Sequence, residues 1–111
     1  TLCDQGIISN FSSSRVNFTT TANVTFRYSL TDLGGDTNPV SVGICVSRSS
    51  VNRNPQPGGS GVSSSSPLST SGPVVFSATF NGLTRGVEYA VQSYVDNCWG
   101  RKYSGVTFIS F

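Results

Sequence analysis

The chain has no histidine and no methionine, one tryptophan, and only five carboxylates among 111 residues: Asp4, Asp32, Asp36, Glu88 and Asp96. General acid–base catalysis usually recruits a histidine or a pair of carboxylates, and nucleophilic serines or cysteines need a neighbouring base. Serine is abundant here, but neither a histidine nor a Ser-x-x-Lys motif accompanies it. The inventory argues against an enzyme, and nothing in it asks for a cofactor. Charge is also scarce. Asp, Glu, Lys and Arg make up 11% of the chain, less than half of the ~25% usual in soluble domains. The net charge is +2 and the seven basic residues are scattered. No basic stripe exists to follow a phosphate backbone, which excludes nucleic acid as a partner. No run approaches the ~20 apolar residues of a membrane span, so membrane insertion is not expected. The first residues also lack the basic-then-apolar pattern of a leader. A chain that starts at Thr1 without Met suggests a mature form after signal removal or an excised repeat, and secretion fits both.

What the sequence does contain is alternation. Val24, Phe26, Tyr28 and Leu30 alternate with Thr25, Arg27, Ser29 and Thr31 over Ala22 to Thr31, the pattern of a half-buried strand. Val40, Val42, Ile44 and Val46 repeat it with Ser41, Gly43, Cys45 and Ser47 on the other face. Phe76, Ala78 and Phe80 follow, then Asn81-Gly82 breaks the run, and Tyr89, Val91, Ser93 and Val95 resume the two-residue period. After a turn at Asn97-Cys98-Trp99-Gly100, Val106 and Phe108 are expected to face inward and Ile109 outward. Upstream, 6–12 and 15–19 predict a first strand broken at Ser12 to Ser14, with Ile7 or Ile8, Phe11, Val16 and Phe18 available to the core. The length suits one domain over 1–111. The expected architecture is all-β, a two-sheet antiparallel sandwich of about seven strands.

Between 48 and 73 the pattern disappears into a Pro/Ser/Gly-rich connection containing four prolines. It exceeds the ~12–15 residues usual for an unstructured loop. Either a short edge strand lies near Val62 or Leu68 or the whole segment is an extended connection, and its length implies that it is partly ordered against other structure, a neighbouring subunit included.

The segment Leu83-Thr84-Arg85-Gly86-Val87-Glu88-Tyr89 resembles the L-x-P-G-x-x-Y signature of fibronectin type III domains, with Arg85 where that family usually has Pro. The resemblance implies an immunoglobulin-like sandwich in which Leu83 plugs the core, Gly86 takes a positive φ and the Tyr89 hydroxyl bonds back to the connection, a tyrosine corner. The longer segment GLTRGVEYAVQSYVDNCWGRKYSGVTF is similar to the variant found in repeat arrays of bacterial cell-surface proteins, and Val42 to Ser47 resembles that variant's G-V-C-[WY]-S strand. Cys3, Cys45 and Cys98 allow at most one internal pair, and their spacing matches no zinc site. In a fibronectin-like sandwich the first strand begins at the pole of the last hairpin. The resemblance therefore implies a Cys3–Cys98 disulfide, with Cys45 free in mid-strand.

Candidate contact residues sit on the C-terminal hairpin. Trp99, Arg101 and Tyr103 have the composition of an interface anchor or a sugar-stacking platform, or Trp99 folds over the Cys3 end as a cap. An outward Ile109, with Phe111, would ask for a cover that a partner subunit could supply. Asn10, Asn17 and Asn23 each begin an N-x-S/T triplet and are candidates for glycosylation, although a chain so rich in Ser, Thr and Asn makes such triplets by chance. Asp32, Asp36 and Asn38 could offer oxygen to calcium, but their spacing is not that of an EF-hand and tight turns use the same residues.

The expected function is non-enzymatic: an extracellular structural or adhesive module, a surface-protein repeat or filament subunit that contacts other copies of itself or neighbouring domains. A carbohydrate-binding accessory domain and a phage virion decoration or fibre domain are the alternatives.

Overall fold

The computed structural model describes residues 3–35 and 39–111, and its regular structure is entirely strand and antiparallel. Nine strands follow in order: β1 (Ile7–Asn17), β2 (Thr21–Asp32), β3 (Val40–Arg48), β4 (Ser63–Ser64), β5 (Leu68–Thr70), β6 (Val74–Thr84), β7 (Tyr89–Asn97), β8 (Gly100–Tyr103) and β9 (Thr107–Ile109). One sheet runs β1-β2-β6. The other runs β4-β3-β7-β8, with β5 also paired to β3 and β9 to β7. The layers form a sandwich-like body of 51 × 24 × 19 Å.

The alternation read from the sequence is the cause of this arrangement. Side chains of period two place Val24, Phe26, Tyr28 and Leu30 of β2 opposite Val40, Val42, Ile44 and Val46 of β3 and Tyr89, Val91 and Val95 of β7 in a single core. All eleven are buried. At about 1.5–3 kcal/mol per fully buried large aliphatic or aromatic side chain, this shared interior is the main favourable term of the fold.

Two expectations need correction, and in both an extra residue within a strand is the reason. In β1 the register shifts fall at Ile7/Ile8 and at Asn10, not at Ser12 to Ser14: Ser9 pairs with Ser29 and Ser12 with Arg27, three residues against two, and Asn10 adopts a φ of 55°. Ser12, Ser13 and Ser14 are all paired to β2. Ile8 and Phe11 pack on the core, whereas Ile7, Val16 and Phe18 are more than half exposed.

The last strand is likewise divided. Tyr103 pairs with Tyr94 and Thr107 with Val91, so four steps on one side meet three on the other. One extra residue moves every later side chain to the opposite face. Gly105, at a φ of 92°, lies in that interruption. Phe108 therefore faces outward opposite Ala90, while Ile109, opposite Tyr89, and Phe111 pack against the core. The expected parity of Phe108 and Ile109 is reversed.

In the connection after β3 the short edge strand expected near Leu68 is present as β5, and the segment is ordered against its own chain. β4 and β5 are two short edge strands on β3, and the segment before them folds across the outer face of β3 and β7. Pro55 is fully buried there. Gln92, on the outer face of β7, donates to Asn54 Oδ1 (3.1 Å) and to the Pro55 carbonyl (2.8 Å). The Ser47 hydroxyl donates to the Asn52 carbonyl at 2.6 Å, and Ser65 exchanges bonds with the Ile44 backbone at 2.9 Å. β3 is thus buried on both faces, although its outer residues are Ser, Gly and Cys.

Cys45 is free and fully buried under this cover, its Sγ 3.4 Å from Ser64 Oγ. Burial raises the pKa of its thiol, and also that of the Tyr28 phenol, which the nearby Ser104 hydroxyl only partly offsets. A raised folded pKa means that the unfolded chain releases its proton first. Stability is accordingly full below the ordinary thiol and phenol values, and it falls as pH rises above about 8.5 for Cys45 and about 10 for Tyr28, continuing up through their raised folded values. In the native protein Cys45 should resist a thiol reagent, and one equivalent should react after denaturation; fast native labelling would show that the cover opens.

Candidate functional site

The pole at which the chain begins is laced together by three segments: residues 3–5, the turn at 33–35, and the β7–β8 turn. Cys3 and Cys98 stand at disulfide distance, with Cα atoms 5.7 Å apart. The Asn97 amide donates to the Asp4 carbonyl (2.9 Å) and the Leu33 carbonyl (3.0 Å), and Asp4 N donates to the Gly34 carbonyl at 2.9 Å. Gly34, at a φ of 77°, has no room for a side chain, since a Cβ would overlap the Asp4 carbonyl and the Asn97 amide. Asn97 was not singled out from sequence. Its turn position was visible, but its bonds to two distant carbonyls were not.

Beyond this pole the β7–β8 hairpin carries the expected contact residues on its outer face. Arg101 makes a two-pronged pair with Asp96, Nε to Oδ1 at 2.6 Å and Nη2 to Oδ2 at 2.8 Å. The same guanidinium lies 4.5 Å above the Tyr94 ring, and Tyr103 pairs across from Tyr94. Hydrogen bonds to Asp96, above all, hold Arg101 firmly protonated. The Tyr94 ring covers Gly43, where any Cβ would strike it. Trp99 projects from the turn and is 47% exposed. Its backbone amide is anchored on Asn97 Oδ1 at 3.0 Å. Trp99, Arg101 and Tyr103 therefore share one hairpin, but Arg101 is engaged within the chain.

Ile109 and Phe111 belong to the opposite pole. The Phe111 ring stacks on Tyr89 at 5.9 Å between centroids and 5° between planes. Phe111 O accepts from Gly86 N at 2.7 Å, and Arg15 lies over the Phe111 ring at 5.9 Å. The outward aromatic is Phe108 instead, and Arg53 from the connection covers it at 4.4 Å. At the same pole Tyr89 Oη accepts from Thr84 N at 2.8 Å, Gly86 takes a φ of 80°, and Leu83 packs on the core. Tyr89→Phe leaves the Thr84 amide without that partner and should cost about 1–2 kcal/mol, read as a lower denaturant midpoint at constant slope.

The remaining candidates are dispersed. Asn10 and Asn17 are exposed on β1, whereas Asn23 uses Oδ1 to accept from Gly82 N at 3.1 Å across the β2–β6 bulge. Asp32 Oδ1 accepts from Gly34 N at 2.8 Å, a turn-forming bond, while Asp36 and Asn38 lie outside the described residues. Among the described residues no group of His, Cys, Asp or Glu is placed to hold a metal ion. No family model matches the chain, and no curated protein is similar to it.

Proposed function

We propose that the chain is a non-enzymatic extracellular module of fibronectin type III-like, immunoglobulin-like construction, serving as a repeat of a surface protein or a subunit of a surface filament. The division of strands supports the fold. β1, β2 and β6 make one sheet, and β3, β7 and the divided β8/β9 make the other, which is the partition of immunoglobulin-type sandwiches with the short middle strands moved onto β3. Counting β4 with β5 and β8 with β9 gives seven strand positions. The bond from Thr84 N to Tyr89 Oη supports the tyrosine corner.

The observation that carries the function is the Cys3–Cys98 pair at disulfide distance. Such pairs persist in oxidising, extracellular compartments. This one would clamp the segment at Cys3 to the β7–β8 turn. The test is antibody labelling of intact, unpermeabilised producing cells or particles, with mass mapping of the non-reduced protein. Surface label and a Cys3–Cys98 peptide are expected; label only after permeabilisation, or a Cys3 peptide found alone, overturns the reading. The half-exposed Trp99 favours a second reading, sugar binding at the hairpin tip. A glycan array that is silent for wild type, or unchanged by Trp99→Ala, removes it.

A further inference from the structure

A sheet edge presents unpaired backbone donors and acceptors, and proteins blunt such edges with short strands, bulges, prolines or charge. Three of the four edges here are blunted. β1 carries the Asn10 bulge and Arg15. β4 and β5 are only two and three residues long. β8 is four residues long, contains Arg101 and Lys102, and is cut from β9 by residues 104–106.

β6 is different. It runs for eleven residues, VVFSATFNGLT, with no charged residue and no proline. Among the described residues its ladder is to β2 alone. Its inward residues Val74, Ala78 and Phe80 are only partly buried, and Val75 is 57% exposed beside a shallow apolar hollow formed with Leu30, Pro73 and Val74. The only irregularity lies at its far end, at Asn81 and Gly82.

We infer that the free edge of β6 is a docking site for β6 of a second copy of this chain, paired antiparallel about a two-fold axis near Ser77. The inference rests on the proposed role as an assembling module and names its contact surface. Self-pairing suits this strand for two reasons. Lacking charge, it neither repels itself nor selects a charged peptide. A two-fold at Ser77 sets Val74 opposite Phe80 and Phe76 opposite Ala78, so apolar meets apolar on the core side, while Val75 meets Thr79 on the outer side. The two three-stranded sheets become one sheet of six across the axis. One strand pair is a small interface, so association is weak and concentration-dependent.

The test is sedimentation equilibrium of the intact protein from about 10 μM to about 1 mM, a range that covers weak association. Wild type is expected to dimerise. Ser77→Lys and Ser77→Glu lie on an exposed position, keep the native circular dichroism, and place like charges together on the axis. Each alone should be at least tenfold weaker in self-association, with Ser77→Lys the more affected because Arg27 is its neighbour on β2. Mixed in equal amounts, the two should form a heterodimer, which a merely structural effect of the substitutions would not produce. A wild type that stays monomeric at the highest concentration overturns the inference, as does a dimer that Ser77→Lys leaves intact. Either result leaves the surface-labelling test untouched, so the broader proposal stands or falls separately.

Discussion

Replacing Cys3 and Cys98 together with serine should lower stability by about 3–5 kcal/mol, because a bond across a sequence separation of 95 removes much of the freedom of the unfolded chain. For a domain of this size that is roughly a 10–25 °C fall in melting temperature. The loss is expected to act mainly on the unfolded state. The pole keeps its other ties when the sulfurs are gone: Asn97 still reaches the Asp4 and Leu33 carbonyls, and Asp4 still bonds Gly34. The variant should therefore retain the far-ultraviolet spectrum of the wild type and unfold in one step at the lower temperature. Calorimetry of both proteins without reductant decides the matter. A difference of only a few degrees would mean that the two cysteines are not bonded in the folded protein. Reduced wild type should match the variant, since both lack the same constraint.

The sequence made the fold legible where alternation is uninterrupted. β2, β3 and β7 were found because their inward residues repeat every second position without a break, and these strands supply most of the core. Of what the resemblance to fibronectin type III domains implies, the Tyr89 hydroxyl does accept from Thr84 N, and Cys3 and Cys98 do stand at disulfide distance. Legibility failed where one extra residue enters a strand. A bulge leaves no mark on composition, yet it inverts the meaning of every later position. For that reason Phe108 and Ile109 exchange roles: Ile109 packs on the core, and Phe108 stays 41% exposed with Arg53 over its ring. The Ser- and Pro-rich connection was legible only in part: the edge strand expected near Leu68 is β5, but the rest is held by single tertiary bonds, Gln92 to Pro55 and Ile44 to Ser65, and these have no period to detect. A glutamine in the outer row of a central strand was the one available hint.

Phe26→Ala should cost about 3–5 kcal/mol, while Phe18→Ala should change stability by no more than about 0.5 kcal/mol. Both phenylalanines read as core from the alternation, and the structure separates them. Phe26 is wholly buried at the middle of β2, the central strand of its sheet, with Phe11 at 6.1 Å and Phe80 at 5.8 Å between ring centroids. Its removal leaves a void that rings anchored on β1 and β6 cannot close without moving their strands. Phe18 lies past the end of β1 in the turn to β2 and is 51% exposed, so truncation opens no cavity. Native domains hold only about 5–15 kcal/mol in all. Phe26→Ala thus takes roughly a fifth or more of the stability of a typical domain, and in the disulfide-free background it should leave a large unfolded fraction at about 25 °C. Urea titrations followed by Trp99 fluorescence, compared by midpoint at equal slope, measure both substitutions. Equal midpoints for the two variants would mean that β2 does not present Phe26 to the interior, and the pairing of the two sheets would have to be redrawn.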